Sequence, residues 1–247
     1  MPTKKILHII STLDRAGAEK SLATLVTHLP RSEFEVHVCA LTRGGPYEEQ
    51  LRGAGVPVTV IGKRHKVDPP AYLKLKRHIR HLRPDLVQTW MFTANTYGRA
   101  AARAAGVRQI VASEQCADPW KSGLQRAIDR RLAKQTAAIV ANAEGVRQFY
   151  VAHGVPADKI RVIHGGVAAH LPSKITKAEL LAQLTLPADS QLIGAIGRLS
   201  PQKKLRDLVW ASDLIKVARD GVHTLIIGDG PQRDALQKFR DQCAISD

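Results

Sequence analysis

The stretch ILHIISTLDRAGAEKSLATLVTHL (6–29) decides the fold. ILHII (6–10) is an apolar, largely β-branched run of strand length. STLDRAGAEKS (11–21) is polar and carries a glycine at 17. From 18 to 29, Leu22, Leu25, Val26 and Leu29 recur at three- and four-residue steps, one face of a helix. Strand, polar turn and helix in that order form the first half of a strand–helix–strand unit.

The same rhythm continues along the chain. Apolar runs stand at FEVHVCAL (34–41), VPVTVI (56–61), DLVQTW (85–90), RQIVAS (108–113), AAIVAN (137–142) and IRVIH (160–164). Most are β-branched and bounded by charge or turn residues, as parallel strands covered on both faces should be. Between them, PPAYLKLKRHIRHL (69–82) presents Tyr72, Leu75, Ile79 and Leu82 on one face behind a Pro-Pro entry, and TANTYGRAAARAAG (93–106) ends at a glycine suited to a C-cap. The alternation predicts an α/β domain with a doubly wound, mostly parallel sheet over residues 1–170.

HGGVAAHLPSK (164–174) has two glycines, a proline and no clear period, and reads as a hinge or linker. A second unit, 171–247, then restarts the rhythm: helix 175–184, strand 191–196, helix 203–218, strand 222–228, helix 231–241. Two strands are few against the ~100–150 residues of a common domain, so this unit reads as the incomplete start of a second domain.

Composition agrees with a packed core: 44% of the 247 residues are hydrophobic and 24% charged, while only 4% are aromatic, so Leu, Ile, Val and Ala must fill the interior. Cys39, Cys116 and Cys243 lack Cys-x-x-Cys spacing and read as reduced thiols, against a disulfide framework or a zinc site. The N-terminal apolar run is too short for a secretory leader, and no stretch reaches the ~18–20 apolar residues of a membrane span. The expected location is cytoplasmic. The net charge of +15 points to nucleic acid, an anionic membrane surface or a phosphate-bearing ligand, without choosing among them.

Ligands of open α/β sheets bind beyond the carboxyl ends of the strands. Three loops there carry suggestive residues. Gly17 precedes a helix, where free amides attract phosphate, though the loop is neither G-x-G-x-x-G nor a Walker A and serves equally as an ordinary turn. GRLSPQKK (197–204) sets Arg198 and Lys203 behind LIGAI (192–196); a guanidinium fork and a mobile ammonium suit a diphosphate, and equally a solvated basic loop. GDGP (228–231), with Gly228, Asp229 and Gly230, brings backbone close to a ligand or only reverses the chain.

Taken together, STLDRAGAEKSLATLVTHL, PDLVQTWMFTANTYGRAAARAAGV, IVANAEGVRQFYVAHGVPADKIRVIHGGV, GRLSPQKK and LIIGDGPQRDAL, in that order, resemble the family 4 glycosyltransferases, which are retaining, nucleotide-sugar-dependent enzymes of GT-B architecture. The resemblance covers almost the whole chain and implies two Rossmann-like domains. The N-terminal domain is on the acceptor side and the C-terminal domain binds the nucleotide sugar. It implies that Arg198 and Lys203 grip the donor diphosphate, that Gly17 offers it a backbone amide, and that no metal or other cofactor is needed. Gln115, His164, Gly165, Gly228, Asp229 and Gly230 become pocket candidates. No catalytic residue is assigned.

The chain departs from the family pattern at several points. Ala16 replaces the first loop glycine, Gln115 a histidine that follows the glutamate of the S-x-E-H type loop, Gly165 and Ala168 the Asn and Asp before the linker, and Lys204 the glycine after the motif lysine. The family's paired glutamates, seven residues apart, lie beyond residue 247, so the chain is expected to be truncated and its catalytic competence is in question. The alternative is a degenerate, non-catalytic relative acting as a binding module or not at all.

RHKVDPPAYLKLKRHIRHLR (64–83) carries seven Lys or Arg against one Asp. A solvated face, or an electrostatic seat on an anionic membrane for an enzyme with a lipid-linked or cell-envelope acceptor, both fit. Specific nucleic-acid binding is not expected, because aromatics are scarce and no DNA or RNA motif is present.

Overall fold

The structure, a computed structural model, describes residues 3–166 and 173–243. The chain divides into two compact units, Met1–Ala168 and Ala169–Asp247. The centre of the expected hinge, 167–172, with Ala168 and the 170/171 boundary, lies outside the described residues.

In the first unit seven strands form one sheet: β1 (Lys4–Thr12), β2 (Phe34–Arg43), β3 (Val58–Val60), β4 (Leu86–Trp90), β5 (Gln109–Glu114), β6 (Ala138–Ala141) and β7 (Ile160–Val162). Their order is β3-β2-β1-β4-β5-β6-β7, and all six pairings are parallel. All seven coincide with the apolar runs. β3 is shorter than VPVTVI because Pro57 has no N–H to give the ladder, although its carbonyl accepts from Val38 N at 3.0 Å.

The helices are α1 (Gly17–His28), α2 (Pro46–Gly53), α3 (Pro69–Leu82), α4 (Met91–Ala104), α5 (Gly123–Ala133) and α6 (Glu144–Ala152). The sequence reading placed α1, α3 and α4 and passed over the other three. Their signals lay in the termini rather than in periodicity. α2 opens with proline and two glutamates at its positive end, and α5 with a reciprocal Ser122/Gln125 capping box.

Apolar residues of both sheet faces are covered. Leu22, Ala23 and Val26 of α1 and Leu51 of α2 pack with Ile10, Val36, Val38 and Ala40. Leu75 and Ile79 of α3 and Ala101 of α4 pack with Leu7, Ile9, Val87 and Ile110. Tyr72 and Leu82 lie partly buried against this second core as expected, whereas Leu25 of α1 turns out to be exposed. Burying the five Leu, Ile and Val side chains of these helices contributes on the order of 10 kcal/mol before chain entropy is charged.

The second unit holds α7 (Lys177–Gln183), β8 (Gln191–Ile196), α8 (Leu205–Ala218), β9 (Val222–Ile227) and α9 (Arg233–Gln242). β8 and β9 pair in parallel from Gln191↔Val222 to Ile196↔Ile227. Its core is small: Leu199, Leu205, Val209 and Leu236, flanked by Ala195, Ile226 and Phe239. Trp210, Leu214 and Val217 of α8 and Ile196 of β8 are exposed. Among the described residues no helix is long and apolar enough to cross a membrane.

Candidate functional site

In the first unit the sheet order reverses between β1 and β4, so the crevice at their carboxyl ends is the position where an open α/β sheet receives a ligand. Gly17 opens α1 there. Its neighbour Ala16 is in extended backbone (φ −142°) and no side chain caps the helix, so the first-turn amides stay available. The extended geometry accepts any residue, which explains why alanine stands where the family has glycine. The turn after β2 braces this loop: a Cβ on Gly45 would lie 2.6 Å from the Leu13 carbonyl, and Tyr47 N donates to that carbonyl at 3.1 Å. The Gly-Gly-Pro at 44–46 was the sequence signal for this contact.

Across the crevice, β4 passes into α4 with no intervening loop. Met91 makes the turn alone in the left-handed region (φ 67°), a conformation that costs a non-glycine residue about 1–2 kcal/mol. His8, fully buried in β1, accepts a hydrogen bond at Nδ1 from Trp90 Nε1 (3.3 Å), and burial pushes its pKa down to about 4. It is a neutral core residue, as its place in a strand pattern suggested.

The loops after β5, β6 and β7 meet at Asn142. Its Nδ2 donates to the Gln115 carbonyl (2.9 Å), and its own carbonyl lies 3.2 Å from His164 Nδ1. Gln115, His164 and the adjoining Gly165 are thus gathered around one residue that sequence reading left as a strand end. The Asn142 Oδ1 is buried with no protein partner among the described residues.

Beneath this edge lies an ionic network with no periodic signal in the sequence. Lys121 Nζ contacts Asp129 (2.8 Å), Asp118 (3.1 Å) and the Tyr150 hydroxyl (3.0 Å). Arg99 pairs with Asp129 at 2.9 Å, and Tyr150 Oη lies 2.9 Å from Glu114 and 3.0 Å from Asp118. All six residues are buried. Burial lowers the Lys121 pKa, but Glu114, Asp129 and Asp118 outweigh it, so the net shift is upward and the ammonium stays charged. Directly above, Trp120 is exposed with Phe92 edge-on at 5.2 Å.

In the second unit, Arg198 and Lys203 both follow β8 and are exposed, and neither has a carboxylate within salt-bridge distance among the described residues. Lys203 Cε lies 4.0 Å from where a Gly197 Cβ would stand, so its stem runs over the strand exit. The β8 and β9 exits are laced together: Gly197 N donates to the Ile227 carbonyl (3.0 Å), Leu199 N to that of Asp229 (2.9 Å), and Gln232 N to that of Leu199 (3.1 Å). Gly228 and Gly230 are where the two backbones touch. Asp229 is exposed, accepts from Gly230 N at 2.8 Å and lies 3.7 Å from Arg233. All five candidates of this unit sit at the carboxyl edge of its sheet.

Lys204, which occupies the family's glycine position, is left-handed (φ 48°, ψ 37°). The strain, about 1–2 kcal/mol, is partly offset by the entropy that glycine would add to the unfolded chain. Lys204→Gly is therefore expected to stabilise the second unit by up to about 1 kcal/mol, read as a shift in its denaturant midpoint. An unchanged or lowered midpoint would show that Lys204 makes compensating contacts.

The chain is 23% identical to EpsF of Bacillus subtilis (strain 168), covering 99% of this chain and 67% of that protein. It is 26% identical to the GDP-mannose-dependent alpha-(1-6)-phosphatidylinositol monomannoside mannosyltransferase of Mycobacterium tuberculosis (strain CDC 1551 / Oshkosh), covering 94% of this chain and 62% of that one. It thus spans about two-thirds of the length of these relatives. In fold it matches Anabaena HepE, solved with UDP and glucose, with a TM-score of 0.83 at 21% identity over 99% of this chain and 67% of the other. The same GT-B architecture appears in a glycosyltransferase from Rickettsia africae ESF-5 (TM-score 0.76, 16% identity, 100% and 67% covered). With a family model matching residues 15–171, where the crevice loops and the buried network lie, the chain belongs to Glycosyltransferase Family 4.

Proposed function

We propose that this chain binds a nucleoside diphosphate sugar and serves its transfer, with retention, to an acceptor hydroxyl. The observation that carries the reading is the pair Arg198 and Lys203, two exposed cations free of carboxylate partners among the described residues at a strand exit. When the glycosidic bond breaks, negative charge grows on the departing diphosphate. A guanidinium and an ammonium already in place stabilise it there and take the part a metal plays in other sites. In the first unit, the uncapped start of α1 at Gly17 offers backbone amides suited to an anion.

Calorimetric titration of the full chain with UDP- and GDP-sugars tests the reading. Removing one charge-assisted contact costs about 1.5–3 kcal/mol, so Arg198→Ala and Lys203→Ala should each weaken binding roughly ten- to a hundredfold while leaving stability unchanged. If the intact chain binds none of the donors, or Arg198→Ala binds as tightly as the parent, the assignment is lost.

The acceptor is proposed to be a lipid-linked or cell-envelope saccharide, reached from the cytoplasmic face of an anionic membrane. Arg64, Lys66, Lys74, Arg77, Arg80 and Arg83 are all exposed on or beside α3, with Val67 and Leu73 exposed among them. The one acid of the stretch, Asp68, is turned inward, accepting from the amides of Arg64 (2.8 Å) and Ala71 (3.0 Å), and these backbone hydrogen bonds hold its pKa low. Within 64–83 no exposed carboxylate is left to compete with lipid head groups. Co-sedimentation with anionic vesicles that fails with neutral vesicles and fades in salt is the expected result.

A second reading, a non-catalytic binding module, is favoured by Gln115, whose carboxamide cannot exchange a proton as the family's histidine can. Donor binding without turnover on any saccharide acceptor selects it.

A further inference from the structure

We propose that Glu114 is a positioning residue held as a neutral carboxylic acid in the folded protein below neutral pH, and that its proton there fixes the segment 115–121 at the edge of the sheet. The geometry of Tyr150 sets the proton count. Its hydroxyl oxygen lies 2.9 Å from Glu114 Oε2, 3.0 Å from Asp118 Oδ2 and 3.0 Å from Lys121 Nζ. A phenol has one hydrogen to give and two lone pairs to fill. Lys121 fills one lone pair. Two carboxylates cannot share the single hydrogen, so one of them must bring its own.

Asp118 does not need it. Lys121 pairs with its Oδ2 and Cys116 Sγ donates to its Oδ1 at 3.3 Å, so Asp118 is supplied as a carboxylate and takes the Tyr150 hydrogen. The side chain of Glu114, at the end of β5, has Tyr150 as its only polar partner among the described residues. The protonated acid donates to the second lone pair of Tyr150, and the phenol's hydrogen and both its lone pairs are then used.

The charge count agrees. The groups facing Glu114 are Arg99 from α4, Cys116, Asp118 and Lys121 from its own segment, Asp129 from α5 and Tyr150 from α6, while Arg126 and His153 line a small cavity on the other side of Lys121, Asp129 and Tyr150. Arg99 and Lys121 balance Asp118 and Asp129. An ionised Glu114 would leave one unbalanced negative charge in a dry site, which is costly. Burial, against the pull of Lys121 and Arg99, pushes the Glu114 pKa from the ordinary 4.5 up to about 7. The folded chain therefore holds a proton that the unfolded chain releases across this interval. Stability falls as pH rises from about 4.5 to 7, and the contribution is lost above it.

The consequence falls on a segment that carries Gln115 at one end and Trp120 at the other. Lys121 and Asp118, which tie the segment down, are the groups whose hydrogen bonds the Glu114 proton completes.

The test uses the full chain. Carbon-13 labelling of glutamate side chains, with the Glu114 signal assigned by its loss in Glu114→Gln, should give a titration midpoint near 7; a midpoint in the ordinary carboxylate range overturns the proposal. Glutamine donates to Tyr150 from its NH2 without ionising. Glu114→Gln should therefore fold, lose the pH dependence of stability between about 4.5 and 7, and keep the amides of 115–121 protected above pH 7, where those of the parent exchange faster. Equal protection in parent and variant across that range would remove the positioning role even if the proton is there.

Discussion

Gly228→Ala is expected to unfold the second unit while the first stays folded. A Cβ at 228 would stand 1.9 Å from the Gly197 carbonyl oxygen and 3.0 Å from its carbon, on backbone that no side-chain rotation can clear. The strand exits would have to part, losing the Gly197–Ile227 and Leu199–Asp229 hydrogen bonds. Two backbone bonds at about 0.5–1.5 kcal/mol each, with about 1–3 kcal/mol of residual strain, give a loss of about 2–6 kcal/mol. Gly230 faces the same difficulty, 2.5 Å from the Leu199 carbonyl. A core of four buried residues has little in reserve. Limited proteolysis should cut the variant after residue 172 and spare the sheet before it. Gly17→Ala is the control: nothing lies within 4 Å of its Cβ position, and its stability should move by less than about 0.5 kcal/mol. A Gly228→Ala protein as stable as the parent would mean the exits are not laced in this way.

Lys121→Met should cost the first unit about 3–5 kcal/mol, the usual penalty for removing one partner of a buried charge set. Methionine keeps the apolar stem against Phe92 and Tyr150, over which the lysine nitrogen lies at 4.7 and 4.8 Å, so the loss reports the charge rather than a cavity. Asp118 is left with Cys116 and Tyr150 alone, while Asp129 retains Arg99. Denaturant unfolding near neutral pH measures the deficit. Lowering the pH should recover part of it, because the stranded carboxylate is neutralised by a proton. Lys134→Met, at an exposed position, should change little. A Lys121→Met deficit below about 1 kcal/mol would mean water reaches the network.

What the sequence disclosed followed the range of the forces involved. The seven strands were legible because a parallel strand covered on both faces writes its environment into consecutive β-branched residues. Their order was not, because the β1–β4 pairing joins residues 6–9 to 86–89 and leaves no local trace. α5 escaped notice because its cap, not its periodicity, announced it. Arg198, Lys203 and Gly17 could be picked out by residue type at a strand exit. Asn142 and the set of Arg99, Glu114, Lys121, Asp129 and Tyr150 could not, since each looks ordinary in its own segment and acquires meaning only when four elements converge. Gly228 and Gly230 were visible as a turn, but the reason for them stands in the exit of another strand.

The direct passage of β4 into α4 bears on how this crevice could diversify. Where a strand and a helix are separated by a loop, residues can be inserted or lost there without disturbing either. Met91 is the whole connection, and Trp90 before it is held by His8 while Asn95 after it donates to the Ser113 carbonyl at 3.1 Å. A length change at this point would shift the register of the helix against the sheet, so this wall should keep its length as sequences drift. New specificity would have to be written in exposed side chains of the neighbouring segments, such as Arg15 and Trp120, whose change leaves the bracing contacts of those segments in place.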